Sequence, residues 1–254
     1  MKWLLIAACS LIFLGQSANA ACRQALALGL DVSASVDARE YRLQLDGLAA
    51  ALGSAAVQDA LFGQPGPPVR IAVYEWANPG EERLLTPWTE ITNLNDLNQL
   101  RQILLSTSRQ DDEQGSTGLG PAILFGVRLL EQQGSCWTQT LDISGDGRAN
   151  IGVRPENLAG VPAWVTINGL VIGADDVRQG DDRQLQIGEL VAYYASHVIR
   201  GPDAFVETAL GFAQYGEAME RKLVRELAVL AIGQVSPADQ FPETDVLVDV
   251  ADLF

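Results

Sequence analysis

The stretch "LGLDVSASVDAREY", residues 28–41, decides how the rest of the chain is read. An apolar run stops abruptly at Asp31, Ser33 and Ser35, and a helix signal begins two residues later. Asp37 followed three positions on by Glu40 is a capping-box entry to a helix predicted from about Asp37 to Leu52. Asp31-x-Ser33-x-Ser35 then fills the turn between a buried strand and that helix. In such a turn every second side chain can aim inward while the others pack. Two readings compete. The acid and hydroxyls cap a helix, or they are hard oxygen ligands for a cation. The spacing alone arises by chance about once in fifteen chains of this length, so the decision rests on what accompanies it.

Outward from this turn, short apolar runs alternate with helical stretches. "ALALGL" (25–30), "VRIAVYEWA" (69–77), "TQTLDIS" (138–144) and "AWVTINGLVI" (163–172) read as strands, and "AFVET" (204–208) as a last short one. "RLLTPWT" (83–89) is a shorter strand whose Pro87 suits a sheet edge. Further helices are expected at 94–105, 121–132, 183–196 and 209–230. Strands alternating with helices predict an α/β fold, with a mostly parallel sheet covered on both faces. Residues 21–232 are expected to form one domain, followed by an acidic tail, 233–254, whose order depends on docking.

Lys2, the apolar run Trp3 to Leu14 and "SANA" (17–20) predict a signal peptide over residues 1–20, too short in its apolar part to span a bilayer. The expectation is a protein exported to the periplasm or secreted, with no transmembrane segment. Without Lys2, 16 basic residues face 32 acidic ones, a charge of −16. That balance argues against nucleic acid and anionic membrane surfaces as partners. Cys9 would leave with the signal. Cys22 and Cys136, each just ahead of a predicted strand, suggest one disulfide in an exported protein, the alternative being two free thiols.

In an open α/β sheet, ligands bind beyond the carboxyl ends of the strands. Three loops here reach that edge with oxygen donors: "DVSAS" (31–35), "GSTGLG" (115–120) with Thr117 at a helix start, and "SGDGRAN" (144–150) with Asp146 between two glycines. Gly145 and Gly147 would let the backbone fold closely around Asp146. Carboxylates and hydroxyls without cysteine or histidine suit Mg²⁺, with Mn²⁺ or Ca²⁺ as alternatives, rather than Zn²⁺. Singly, each loop is a cap or a turn; together and in this order they are harder to dismiss.

The order DxSxS, then a Thr opening a helix, then Asp-Gly after a core strand resembles the metal-ion-dependent adhesion site of von Willebrand factor type A domains. More narrowly, "LDVSASVDAREYRLQLDGLAAAL", "VYEWA", "DISGDGRANIG", "TINGLVI", "YYASHVIRGPDAFVE" and "RKLVRELA" resemble a family of exported bacterial proteins with a type A-like domain and no assigned function. The resemblance implies a doubly wound, six-stranded sheet of order 3-2-1-4-5-6 with one antiparallel edge strand. Strands one and four are then neighbours, which brings Cys22 and Cys136 to the same end of the sheet, opposite the metal. It further implies that Ser33 and Ser35 bind the ion through their hydroxyls, and that Thr117, Asp31 and Asp146 bind directly or through water. One coordination position would stay open for a partner's acidic residue.

Other residues invite plainer readings. Asp142, Arg148 and Asn150 are candidates for the site's rim; Asp142, inside an apolar strand, is either buried and hydrogen-bonded near the site or on a wetter face. His197, the chain's one histidine, is expected to be structural. Trp76, Trp88, Trp137 and Trp164 are expected to pack in the core or at edges. Asp175-Asp176 and Asp181-Asp182 read as solvated, with a second calcium site as the weaker alternative. The acids Asp111, Asp112 and Glu113 precede Thr117 and would repel acidic ligands if they lay over the metal. The function expected is a non-enzymatic module that grips a partner's carboxylate through the ion. A Mg²⁺- or Mn²⁺-dependent phosphate-ester hydrolase and a metal-free structural domain stay open as alternatives.

Overall fold

The computed structural model describes residues 22–110, 115–173 and 181–228, and for 181–185 the backbone only. The predicted signal segment, the acids 111–113, Asp175-Asp176, the side chains of Asp181-Asp182 and the tail 233–254 lie outside the described residues. Among the described residues no helix is long and apolar enough to cross a membrane.

Strand β1 (Cys22–Asp31) is buried along its whole length and sits in the middle of the sheet. Around it are β2 (Val69–Trp76), β3 (Arg83–Ile91), β4 (Cys136–Gly145), β5 (Val165–Ile172) and β6 (Val206–Ala209), in the order β3-β2-β1-β4-β5-β6. Every neighbouring pair is parallel except β2 and β3. β3 is thus the antiparallel edge strand that accommodates Pro87. Its pairing with β2 slips around Val73, whose N–H is taken by the Thr86 hydroxyl at 3.0 Å. A proline cannot donate to a ladder, so a bulge beside it at a sheet edge is the expected accommodation.

Alternate residues of β1 serve two cores, as strand geometry dictates. Leu26, Leu28 and Leu30 pack with α1 (Ala38–Leu52), α2 (Ala55–Phe62), α3 (Leu94–Ser106) and α6 (Tyr215–Ala228). Ala25 and Ala27 pack with α4 (Leu119–Glu131) and α5 (Asp181–Tyr193) on the other face. Helix α2 was not anticipated; it is two turns long, capped by the Ser54 side chain, and buries only Val57 and Leu61, too little to register as a period. The last helix starts at Tyr215 rather than 209, because β6 runs to Ala209 and a short 3-10 turn intervenes.

Cys22 and Cys136 are partners in the β1–β4 register and form a disulfide, with their Cα atoms 4.6 Å apart. It ties the amino ends of two central strands. Asp142 is not on the rim of the candidate site. It lies level with Leu28 on the α6 face, where Lys222 Nζ sits 2.8 Å from its Oδ2 and 2.5 Å from Glu226 Oε1. All three are buried, and Asn168 donates to the same Glu226 oxygen at 2.7 Å. One cation between two acids leaves an excess negative charge in a dry place. Burial, with Glu226 adding to it and Lys222 opposing, pushes Asp142 up to about 7.

Two outcomes follow. Reducing the disulfide, or Cys22→Ser with Cys136→Ser, should lower unfolding free energy in urea titrations by up to about 4–5 kcal/mol, since the bond closes a long loop. Asp142 holds a proton in the folded chain that the unfolded chain releases near pH 4. Stability contributed by this group is therefore lost as pH rises from about 4 to 7, at no more than about 1.4 kcal/mol per pH unit. Relative to Asp142→Asn, which does not titrate, wild type should lose stability over that range, as measured by denaturant midpoints.

Candidate metal centre

β1 and β4 are adjacent, yet the chain leaves them toward opposite flanks of the sheet, so a crevice opens at their carboxyl ends. The loop after β1 enters it held at several points. Val32 N–H continues the β1–β2 ladder to the Trp76 carbonyl at 3.0 Å, and Ala34 N–H donates to the Gly115 carbonyl at 2.7 Å. Gln44, a buried polar residue on α1, donates to the Asp31 carbonyl at 3.0 Å. Arg109 donates to the carbonyls of Val36 and Val32. Asp37 and Glu40 form the predicted capping box at the start of α1.

Within this frame the Ser33 N–H donates to Asp31 Oδ1 at 2.8 Å. The Ser33 and Ser35 hydroxyls are 3.1 Å apart, and Ser35 Oγ donates to Asp146 Oδ1 at 2.7 Å. Thr117 is tied to the third loop by Asn150: its N–H donates to Asn150 Oδ1 at 2.8 Å, and Asn150 N–H returns to the Thr117 carbonyl at 3.1 Å. Its hydroxyl lies 3.6 Å from where a Cβ on Gly147 would be, beside Asp146. The structure therefore gathers Asp31, Ser33, Ser35, Thr117 and Asp146 at one crevice. Asn150 is the strut between two of the loops. Arg148 reaches outward to Glu189 at 3.1 Å and stacks on Tyr193.

Asp31 is fully buried, and its Oδ2 has no hydrogen-bond partner. Burial first, then the charge of Asp146, push it up to about 8, against hydrogen bonding from the Ser33 amide and hydroxyl and from the Asp146 amide. Asp146 is also raised, by burial, with the Ser35 hydroxyl pulling the other way. No basic side chain acts on either acid, and among the described residues neither forms an ion pair. Two carboxylates and three hydroxyls with an unpaired buried oxygen fit a hard cation. The described residues hold no cluster of three or more His, Cys, Asp or Glu, as a set with two acids requires.

Some expectations change. Gly147 has room for a Cβ, whereas at Gly145 a Cβ would lie 2.6 Å from the Tyr194 hydroxyl and 2.9 Å from Asp31 Oδ2. Trp76 is buried and Trp88, on the edge strand, packs half-buried against the core, as expected, while Trp137 and Trp164 are half exposed near the amino ends of β4 and β5. His197 is exposed in a π-turn, its ring 5.3 Å from Tyr193. Gln44 and Arg109 went unnoticed, since a polar residue on a helix face and an arginine in a loop carry no signal until the loops are assembled.

A family profile covers residues 21–231. The chain belongs to the family described as protein of unknown function DUF1194. No curated protein matches it. Among solved structures it is similar to the pilus adhesin SpaC from Lactobacillus rhamnosus GG, at 14% identity and a TM-score of 0.52, over 82% of this chain and 30% of that one. It is also similar to proximal thread matrix protein 1 of the mussel byssus with a zinc-occupied MIDAS motif, at 16% identity and a TM-score of 0.47, over 83% and 49% of the two chains. A third is BatB from Bacteroides thetaiotaomicron, at 15% identity and 0.45, over 81% and 98%. The chain thus spans half or less of the adhesin and the byssus protein. The DUF1194 chain has a von Willebrand factor type A fold.

A metal at this crevice should raise the melting temperature. An ion at a hundred times its dissociation constant adds about 2.7 kcal/mol, a shift of a few degrees. Thermal unfolding in EDTA against Mg²⁺, Mn²⁺ and Ca²⁺ measures it, and Asp31→Ala should abolish the shift.

Proposed function

We propose that this DUF1194 chain is an exported, metal-dependent protein-binding module of the adhesion type. The observation that carries this reading is the pair Asp31 and Asp146, buried or half-buried beside three hydroxyls with no basic side chain to balance them. Asp31, Ser33, Ser35, Thr117 and Asp146 would hold a divalent cation, Mg²⁺ first among candidates, with Mn²⁺ or Ca²⁺ as alternatives. When bound, the ion would supply a Lewis-acidic position for a carboxylate from a partner protein. The residues of this chain do the rest: the Ser33 amide orients Asp31, Ser35 orients Asp146, and Asn150 fixes Thr117. With neutral hydroxyls as the other donors, two carboxylates do no more than cancel the ion's charge, which favours an incoming anion.

The likeness to an adhesin supports the reading at the level of fold alone. The signal segment at residues 1–20 supports export. A hydrolytic role lacks support in the side chains present. The exposed His197 packs on Tyr193, and among the described residues the crevice brings two acids, Asp31 and Asp146, together with hydroxyls.

The test pairs retention with turnover. Immobilised full-length protein should retain a specific protein from an extract of its source in Mg²⁺ and release it in EDTA, and Asp31→Ala should retain none. The same preparation should not hydrolyse p-nitrophenyl phosphate in Mn²⁺. Turnover that Asp31→Ala abolishes would replace the binding reading with a hydrolytic one.

A further inference from the structure

Beneath Asp31 lies a group of residues that its own loop does not explain. Tyr194 is fully buried at the first position of the π-turn Tyr194–Val198, where the Ile199 N–H reaches back to its carbonyl at 3.0 Å. π-turns of this kind are frequent at functional sites. Its ring crosses the sheet over two glycines. A Cβ on Gly169 of β5 would lie 2.7 Å from Tyr194 Cδ1, and a Cβ on Gly145 of β4 would lie 2.6 Å from its hydroxyl. The same point on Gly145 is 2.9 Å from Asp31 Oδ2 and 3.4 Å from Trp76 Cζ2. Neither glycine has a positive φ, so neither is needed for backbone conformation. Their missing side chains form a channel that delivers a phenol to the underside of Asp31.

Three buried polar atoms face this region, and none is hydrogen-bonded to another or to any other group: Asp31 Oδ2, the Tyr194 hydroxyl and Trp76 Nε1. One is an acceptor and two are donors. Burying unpaired polar groups costs free energy, so their gathering at one point calls for a shared role. The neighbouring Tyr193 faces the other way and carries Arg148 on its ring. The pair "YY" thus joins the floor of the crevice to its rim.

We propose that Tyr194 is a positioning residue of the metal centre: its hydroxyl faces Asp31 Oδ2 without bonding it in this structure, and donates a hydrogen bond to that oxygen when a cation is bound, so orienting the carboxylate. This rests on the metal reading above. It adds a residue from α5's far end, remote in sequence from every ligand of the expected motif. Metal-ligating carboxylates are commonly held by such outer hydrogen bonds, and losing one typically weakens metal binding by about 10–100-fold.

Isothermal titration of Mn²⁺ into the full chain, alongside melting in EDTA, tests it. Tyr194→Phe keeps the ring in the glycine channel and removes the hydroxyl alone. The expected result is a dissociation constant about 10–100-fold weaker, with metal-free melting unchanged or higher. Gly145→Ala, which wedges a methyl between the hydroxyl and Asp31, should also weaken Mn²⁺ binding, and the double variant should lose no more than the worse single one. Tyr194→Phe that binds Mn²⁺ as wild type does, whether or not it melts earlier, overturns the inference and leaves Tyr194 a core residue. Wild type that takes up no Mn²⁺ overturns the metal reading itself, and this inference with it.

Discussion

A carboxylate buried at the end of the central strand, with no cationic side chain among the described residues to meet it, is the constraint around which this fold is arranged. Asp31 closes β1, the strand with both faces covered, so its side chain emerges where water is excluded. Every neighbour of the turn then acts on it or on its loop. Ser33 offers its amide, Gln44 holds the carbonyl, Arg109 pins the loop's other carbonyls, and Asp146 arrives from the adjacent strand through Ser35. A charge so placed is tolerated only if neutralised by a proton or a bound ion.

The molecule treats two of its buried acidic groups differently. In the middle of the α6 face, Asp142 and Glu226 receive Lys222 from within the fold. At the carboxyl edge, Asp31 and Asp146 receive only hydroxyls and amides, although basic residues such as Arg148 and Arg109 stand nearby and are engaged elsewhere. The disulfide lies at the opposite end of the same two strands, so the sheet is cross-linked at its base and left open at its crevice. This division is what the proposed ion-presenting module would require. The family's description assigns no activity, and fold alone does not supply one, so the side chains of the crevice carry the functional argument.

Much of the architecture was legible because it rests on local rules. Alternating leucines and alanines in β1 mark a strand buried on both faces, Pro87 marks an edge, and Asp37 with Glu40 marks a helix start. Helix α2 escaped because two buried residues make no period, and the start of α6 escaped because β6 and a 3-10 turn occupy the preceding residues. Asp142 illustrates the harder limit. An acid within an apolar strand has the same local signature whether it serves a crevice or answers a lysine eighty residues away, and only the docking of α6 distinguishes them.

The sequence by itself determined the α/β class and set five oxygen-bearing residues in three loops, because each depends on spacing along one segment; it left Cys22 and Cys136 open between a disulfide and two free thiols. The tertiary structure decided the rest. It brought Ser35 to Asp146, made Asn150 the strut of Thr117, moved Asp142 away from the rim, and laid Tyr194 through two glycines to the underside of Asp31. Those relations join residues from different strands and helices. Their energies depend on burial and on the absence of a side chain at one point in space, and neither quantity exists until the chain is folded.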